Sequence, residues 1–117
     1  MGVDPDELHE LIDRFNATWN DHDLDGALAL STDDIAFEST GPGPDGERHE
    51  GQAAVRAAWT AIFDDPRSRF TTEELILAGD RAVQRWRYDW GEGHIRGVDV
   101  LLVRDGKVAE KLAYVKG

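Results

Sequence analysis

Residues 82–108 read AVQRWRYDWGEGHIRGVDVLLVRDGKV, and the fold turns on how this stretch pairs with itself. Its two main segments, Ala82–Trp90 and Ile95–Val103, carry the alternation and β-rich composition of half-buried strands. Gly91-Glu92-Gly93-His94 between them and Asp105-Gly106 after them are turn sequences, which predicts two successive antiparallel hairpins. Reading Glu92-Gly93 as a two-residue turn places Asp99 opposite Trp86, Ile95 opposite Trp90 and Asp89 opposite Arg96. One face then holds Trp86, Trp90, Ile95, Asp99 and Leu101, and the other Arg85, Arg87, Asp89, His94 and Arg96. The Trp-rich face belongs under other elements, where Asp99 is expected as a single carboxylate among aromatic residues. The charged face belongs against solvent or a second subunit.

Outward from this stretch, Phe70–Leu77 has strand composition and Ala78-Gly79-Asp80-Arg81 is a turn. Upstream, Val55, Ala58, Trp59, Ile62 and Phe63 fall on one side of a helix over Gln52–Phe63, stopped by Asp64-Asp65-Pro66. Gly41-Pro42-Gly43-Pro44-Asp45-Gly46 admits only a loop. Before it, Ile35 and Phe37 alternate with Ala36 and Glu38 in a strand over Asp34–Ser39. A short helix over Leu24–Leu30 turns Ala27, Leu28 and Leu30 inward. Asp4-Pro5-Asp6-Glu7 starts a first helix, with a capping Asp, Pro at the first position and Glu three residues after the cap. Leu8, Leu11, Ile12, Phe15 and Trp19 form its apolar stripe. The predicted class is α+β: a single domain over residues 1–117, with about three N-terminal helices packed on one face of an antiparallel sheet.

A chain of 117 residues is one domain long, and buries enough surface to fold without a disulfide or metal. It has no cysteine, which excludes disulfides, thiolate nucleophiles and Cys-ligated metals. The net charge of −11 argues against nucleic-acid binding, which needs a basic footprint. No apolar run approaches the roughly 20 residues of a membrane span, and no basic-then-apolar leader opens the chain, so a cytoplasmic protein without membrane association is expected. The 15 Asp and only 3 Lys beside 10 Arg suit either a high-salt environment or an Arg-preferring, GC-rich genome, and bear on solubility alone. Asp21-His22-Asp23-Leu24-Asp25-Gly26 imitates the opening of a calcium loop, but the twelfth position is Thr32 instead of Glu. A helical pattern also begins at Gly26, so the run reads as a helix–helix turn. With no His pair at i, i+4, neither a metal nor a cofactor is expected.

Four segments in order, Asp23–Gly26, Thr32–Glu38 (TDDIAFE), Gly51–Trp59 (GQAAVRAAW) and Arg96–Val108 (RGVDVLLVRDGKV), resemble the SnoaL-like members of the nuclear transport factor 2-like (NTF2-like) superfamily. That superfamily includes ketosteroid isomerase, limonene epoxide hydrolase, polyketide cyclases and non-catalytic proteins. The resemblance spans essentially the whole chain. It implies a cone, a strongly curved antiparallel sheet wrapped against helices around one deep apolar pocket, usually in a dimer. Because the fold hosts many chemistries, the reaction has to come from the site. Ketosteroid isomerases use a base Asp, and an oxyanion hole made by a Tyr and a protonated Asp. Alignment on Asp23–Gly26 puts Ser39 at the base, Phe15 at the Tyr and Asp99 at the protonated Asp. Neither Ser39 nor Phe15 accepts a proton near neutral pH, which disfavours steroid isomerisation. Limonene epoxide hydrolases carry an essential Asp where Ala113 stands, which disfavours that reaction too.

Asp99 remains the leading catalytic candidate. Among Trp86, Trp90 and Ile95 its ionised form loses hydration, which suits a general acid, a hydrogen-bond donor or a base. Its plain structural alternative is a buried Asp paired with an indole N–H or an arginine. His49, beside the Gly-Pro loop, is the candidate assisting proton carrier, or else a solvated loop histidine. His94, His9 and His22 read as surface. If the cone holds, Phe15, Trp19, Phe37, Ser39, Trp59, Phe63, Trp86 and Trp90 wall a pocket for a small apolar or aromatic ligand, the same residues being ordinary core otherwise. The expected function is a small-molecule pocket protein, with proton transfer of isomerase, cyclase or hydratase type on an apolar carbonyl-bearing or cyclic substrate. The alternative is a non-catalytic ligand-binding or dimeric interaction module. Arg85, Arg87, Asp89 and Arg96, interleaved with Val98, Val100 and Leu102, suit a homodimer contact.

Overall fold

The Asp4 carboxylate accepts the Asp6 N–H at 2.8 Å and Pro5 takes the first position of α1 (Pro5–Asn20), as the sequence predicts. In this computed structural model residues 4–116 are described. The remaining elements are α2 (Leu24–Ala29), β1 (Ser31–Glu38), β2 (Arg48–Glu50), α3 (Gln52–Asp64), β3 (Arg69–Ala78), β4 (Arg81–Asp89), β5 (His94–Arg104) and β6 (Lys107–Val115). Leu8, Leu11, Ile12, Phe15 and Trp19 form the buried stripe of α1, and Val55, Trp59 and Phe63 that of α3. Asp23 caps α2 by accepting the Gly26 N–H at 2.9 Å, so the Asp-rich run is a helix–helix turn. Gln52, at the start of α3, donates to the carbonyls of Leu28, Ser31 and Thr32 and ties α2, β1 and α3 together.

The six strands form one sheet in the order β2-β1-β6-β5-β4-β3. The sheet is mixed where an antiparallel one was expected, because β1 and β6 run parallel. Parallel neighbours need a long crossover, and here the chain between β1 and β6 supplies the rest of the sheet and α3. The three-residue β2, too short to show a period, was not predicted; it pairs Phe37 with His49. β1 also starts earlier than expected, at Ser31, whose hydroxyl donates to Ala27 O while its backbone pairs with Val108. Irregularities at Thr72/Glu74 and Leu102/Val103 interrupt the ladders and bend the sheet about the helices.

The register of the central hairpin differs from the two-residue-turn reading. Gln84 faces Asp99, Trp86 faces Gly97, Tyr88 faces Ile95 and Asp89 faces His94. The connection is the four-residue loop Trp90–Gly93, closed by Trp90 N–H donating to Gly93 O at 3.2 Å, with Gly91 at φ 94°. A slip of two residues keeps every side chain on its predicted face, so the division into an inner aromatic face and an outer charged face stands.

The core lies between the helices and the inner face, centred on Ile12, Phe15, Ile35, Val55, Trp59, Leu101 and Val108. On the outer face, Ile76, Val83, Val100 and Leu112 stand in one cross-strand row. Ion pairs Arg85–Glu74 (3.1 Å) and Arg96–Glu73 (3.2 Å) accompany that row. Among the described residues no helix is long and apolar enough to cross a membrane.

Candidate functional site

Asp99 on β5 lies opposite Ala113 on β6, and Lys111 stands two residues before Ala113 on the same inner face. Such diagonal neighbours are within reach of a long side chain. Lys111 Nζ sits 3.1 Å from Asp99 Oδ2, with only 9% and 4% of the two side chains exposed. Gln84, directly across the hairpin, donates to the same carboxylate oxygen at 3.2 Å. Asn16 of α1 completes the network by exchanging hydrogen bonds with Gln84 at 2.8 and 3.2 Å. The ammonium also lies 4.9 Å from the Trp19 ring centroid and 5.5 Å from that of Phe37. Asp99 Oδ1 is buried and has no hydrogen-bond partner among the described residues.

These contacts correct the expectation of a lone carboxylate among indoles. The carboxylate is held by an ammonium and an amide. The indole N–H groups of Trp19, Trp59 and Trp86 make no hydrogen bonds among the described residues. An ion pair so little exposed persists only because desolvation of each charge is offset by the other and by further polar contacts. Gln84 provides such a contact for the carboxylate and the two aromatic rings for the ammonium.

Two adjoining hollows share Lys111, and Asp99 borders the smaller of them. The smaller, about 270 Å³, is bordered by Asn16, Asn20, Thr72, Gln84 and Asp99. The larger, about 320 Å³, is bordered by Phe37, Ala58, Ile62, Tyr88, Ile95 and Ala113, with Ser39, Gly41, Glu47 and His49 also on its lining. Trp19, Phe70, Trp86 and Lys111 border both. Asn20 positions Phe70 by a two-point clamp: its amide donates to Phe70 O and its carbonyl accepts Phe70 N–H, each at 2.8 Å. Tyr88 stacks on Phe70 with centroids 4.6 Å apart. Burial pushes the Tyr88 phenol above its usual value of 10.0, and the nearby Asp65 charge adds to the effect.

The structure therefore gathers Asp99, Trp19, Trp86, Phe37, Ser39 and His49 around the hollows. Pairing with Phe37 in the β-ladder places His49, whose ring stacks on Phe37 at 5.9 Å and 19°. Phe15, Trp59 and Phe63 stand behind this lining, in the core: Phe15 meets Trp59 edge-on at 6.0 Å, and Trp59 meets Trp19 at 4.9 Å. Trp90 lies in the hairpin loop, tilted against Tyr88 at 5.8 Å. Sequence reasoning missed Lys111, Gln84 and Asn16. A signal for Lys111 was present: one of only three lysines in a chain that prefers arginine falls in step with Ala109 and Ala113 on a strand.

The family model described as a SnoaL-like domain matches residues 12–111. No curated protein matches. Among solved structures, an NTF2-like protein of unknown function from Mesorhizobium loti is 39% identical, with 100% of this chain and 98% of that one covered and a TM-score of 0.88. A putative ketosteroid isomerase from Kribbella flavida is 20% identical over 96% of this chain and 79% of its own, at a TM-score of 0.81. A steroid delta-isomerase from Pseudomonas aeruginosa is 16% identical over 95% and 80%, at 0.75. The last two likenesses are of fold. The family match and the Mesorhizobium relative carry more, and by them the chain belongs to the SnoaL-like domain family of the NTF2-like superfamily.

Proposed function

We propose that the protein binds a small, mostly apolar, carbonyl-bearing or cyclic molecule in the two hollows and moves a proton on it with Asp99. The observation that carries this reading is the buried Asp99–Lys111 pair, with Asp99 on the lining of the smaller hollow and Lys111 on the lining of both. Lys111 and Gln84 hold the Asp99 carboxylate in a water-poor site, and a carboxylate so held is placed to take a proton from carbon or oxygen once a ligand displaces water. His49, on the lining of the larger hollow, passes protons to and from solvent. The chemistry is isomerisation, aldol-type cyclisation or hydration. The assembly that accompanies it is a homodimer through the outer sheet face.

Tryptophan emission tests the reading, because Trp19 and Trp86 border both hollows. Aromatic lactones, quinones, steroids and terpenoids are expected to change the emission, while sugar phosphates and nucleotides leave it unchanged. Response to the phosphates alone overturns the proposal. A second reading, a non-catalytic binding module, is favoured by Ser39. Its hydroxyl already donates to Gly41 O at 2.7 Å and accepts Glu47 N–H at 3.0 Å, so the aligned base position is spent on holding the loop. Ligands that bind but are never turned over, by the wild type or by Asp99→Asn, select this second reading.

A further inference from the structure

The Asp99–Lys111 pair is incompletely satisfied on both sides. An ammonium has three N–H donors; Lys111 directs one side to Asp99 Oδ2 and otherwise faces the Trp19 and Phe37 rings, which attract its charge without accepting a directed hydrogen bond. Asp99 has its second oxygen, Oδ1, without any partner among the described residues. An orphaned buried acceptor is costly, and native proteins retain one chiefly where something else meets it. An unmet donor and an unmet acceptor thus stand side by side, Asp99 on the lining of the smaller hollow and Lys111 on the lining of both. The pair is neutral overall, so it offers no net charge to an anion.

We infer that Lys111 and Asp99 together recognise one neutral group that carries an acceptor and a donor side by side, a primary carboxamide or an un-ionised carboxylic acid, on an apolar body. Its carbonyl oxygen accepts from Lys111 Nζ and its N–H or O–H donates to Asp99 Oδ1, while the apolar body fills the larger hollow between Phe37, Ile62 and Ile95. Lys111 is then the residue that sets ligand class, a role that composition alone conceals in a protein of net charge −11. This inference rests on the pocket reading proposed above and narrows it from any oxygen-bearing apolar molecule to those with a two-point head.

Three probes on one scaffold test it by isothermal titration calorimetry: 2-naphthamide (acceptor and donor), methyl 2-naphthoate (acceptor only) and 2-methylnaphthalene (neither). The amide is the most polar of the three, so simple partitioning into an apolar hollow ranks it last. The inference ranks it first, by about tenfold over the ester, the worth of one or two added hydrogen bonds. The double variant Asp99→Leu/Lys111→Met removes both members and leaves no buried charge unpaired, and in it the amide loses its advantage over the ester. An ester that binds the wild type as tightly as the amide, or an amide preference that survives in the double variant, overturns the inference and leaves the pocket reading standing. Absence of binding by all three probes overturns both.

Discussion

The Trp86 indole lies over Gly97, its partner across the β4–β5 ladder, so closely that a Cβ at Gly97 would stand 2.5 Å from the ring and 2.3 Å from the Tyr114 carbonyl oxygen. Glycine here is a packing requirement, and it helps select the register: only a residue without a side chain fits between Trp86 and β6. Gly97→Ala is expected to destabilise the fold by about 1–3 kcal/mol, because the backbone oxygen cannot retreat as a flexible side chain would. A lower midpoint in urea unfolding checks this; an unchanged midpoint refutes it.

Lys111→Met is expected to cost about 3–5 kcal/mol, since it strands the Asp99 carboxylate in a buried site, and Asp99→Leu strands Lys111 similarly. The double variant Asp99→Leu/Lys111→Met costs much less than the two singles added together. Urea unfolding of all four proteins closes the cycle and reads the coupling directly. Strict additivity would mean that the pair does not interact.

Tyr88 gives the fold an alkaline limit. Its phenol is raised in the folded state, so as pH climbs the unfolded chain gives up its phenolic proton first. The associated stability is fully present below about 10 and is lost as pH rises through the folded value. Ultraviolet titration is expected to show a tyrosine step above pH 10.0 that Tyr88→Phe removes. A titration above that pH left unchanged by Tyr88→Phe refutes the assignment.

The outer row Ile76, Val83, Val100 and Leu112, with Tyr114 57% and Ile76 50% exposed, is expected to be covered in solution by a second copy. Light scattering should return about twice 13.0 kDa for the wild type and 13.0 kDa for Val100→Glu, whose charge is introduced in the centre of the row. Wild-type protein that stays at 13.0 kDa across a dilution series refutes the contact.

The helices, five of the six strands and the inner and outer faces of the hairpin were legible in the sequence, because each is written in contacts a few residues apart. The stripe Leu8, Leu11, Ile12, Phe15, Trp19 needs only the helical repeat, and the separation of Trp86 and Asp99 from Arg85 and Arg96 needs only the period of two. Even the misjudged turn left those faces intact, because the slip was an even number of residues. What the tertiary structure decided is who meets whom within a face. Asp99 meets Lys111 because β5 and β6 pair in a register set by a bulge at Leu102/Val103, and the ammonium lies over Trp19 and Phe37 because β1 returns to lie parallel to β6 while α1 packs across the inner face. Those contacts join residues tens of positions apart. No local period encodes them, and the requirement that every buried charge find a partner becomes visible only once the sheet has closed around it.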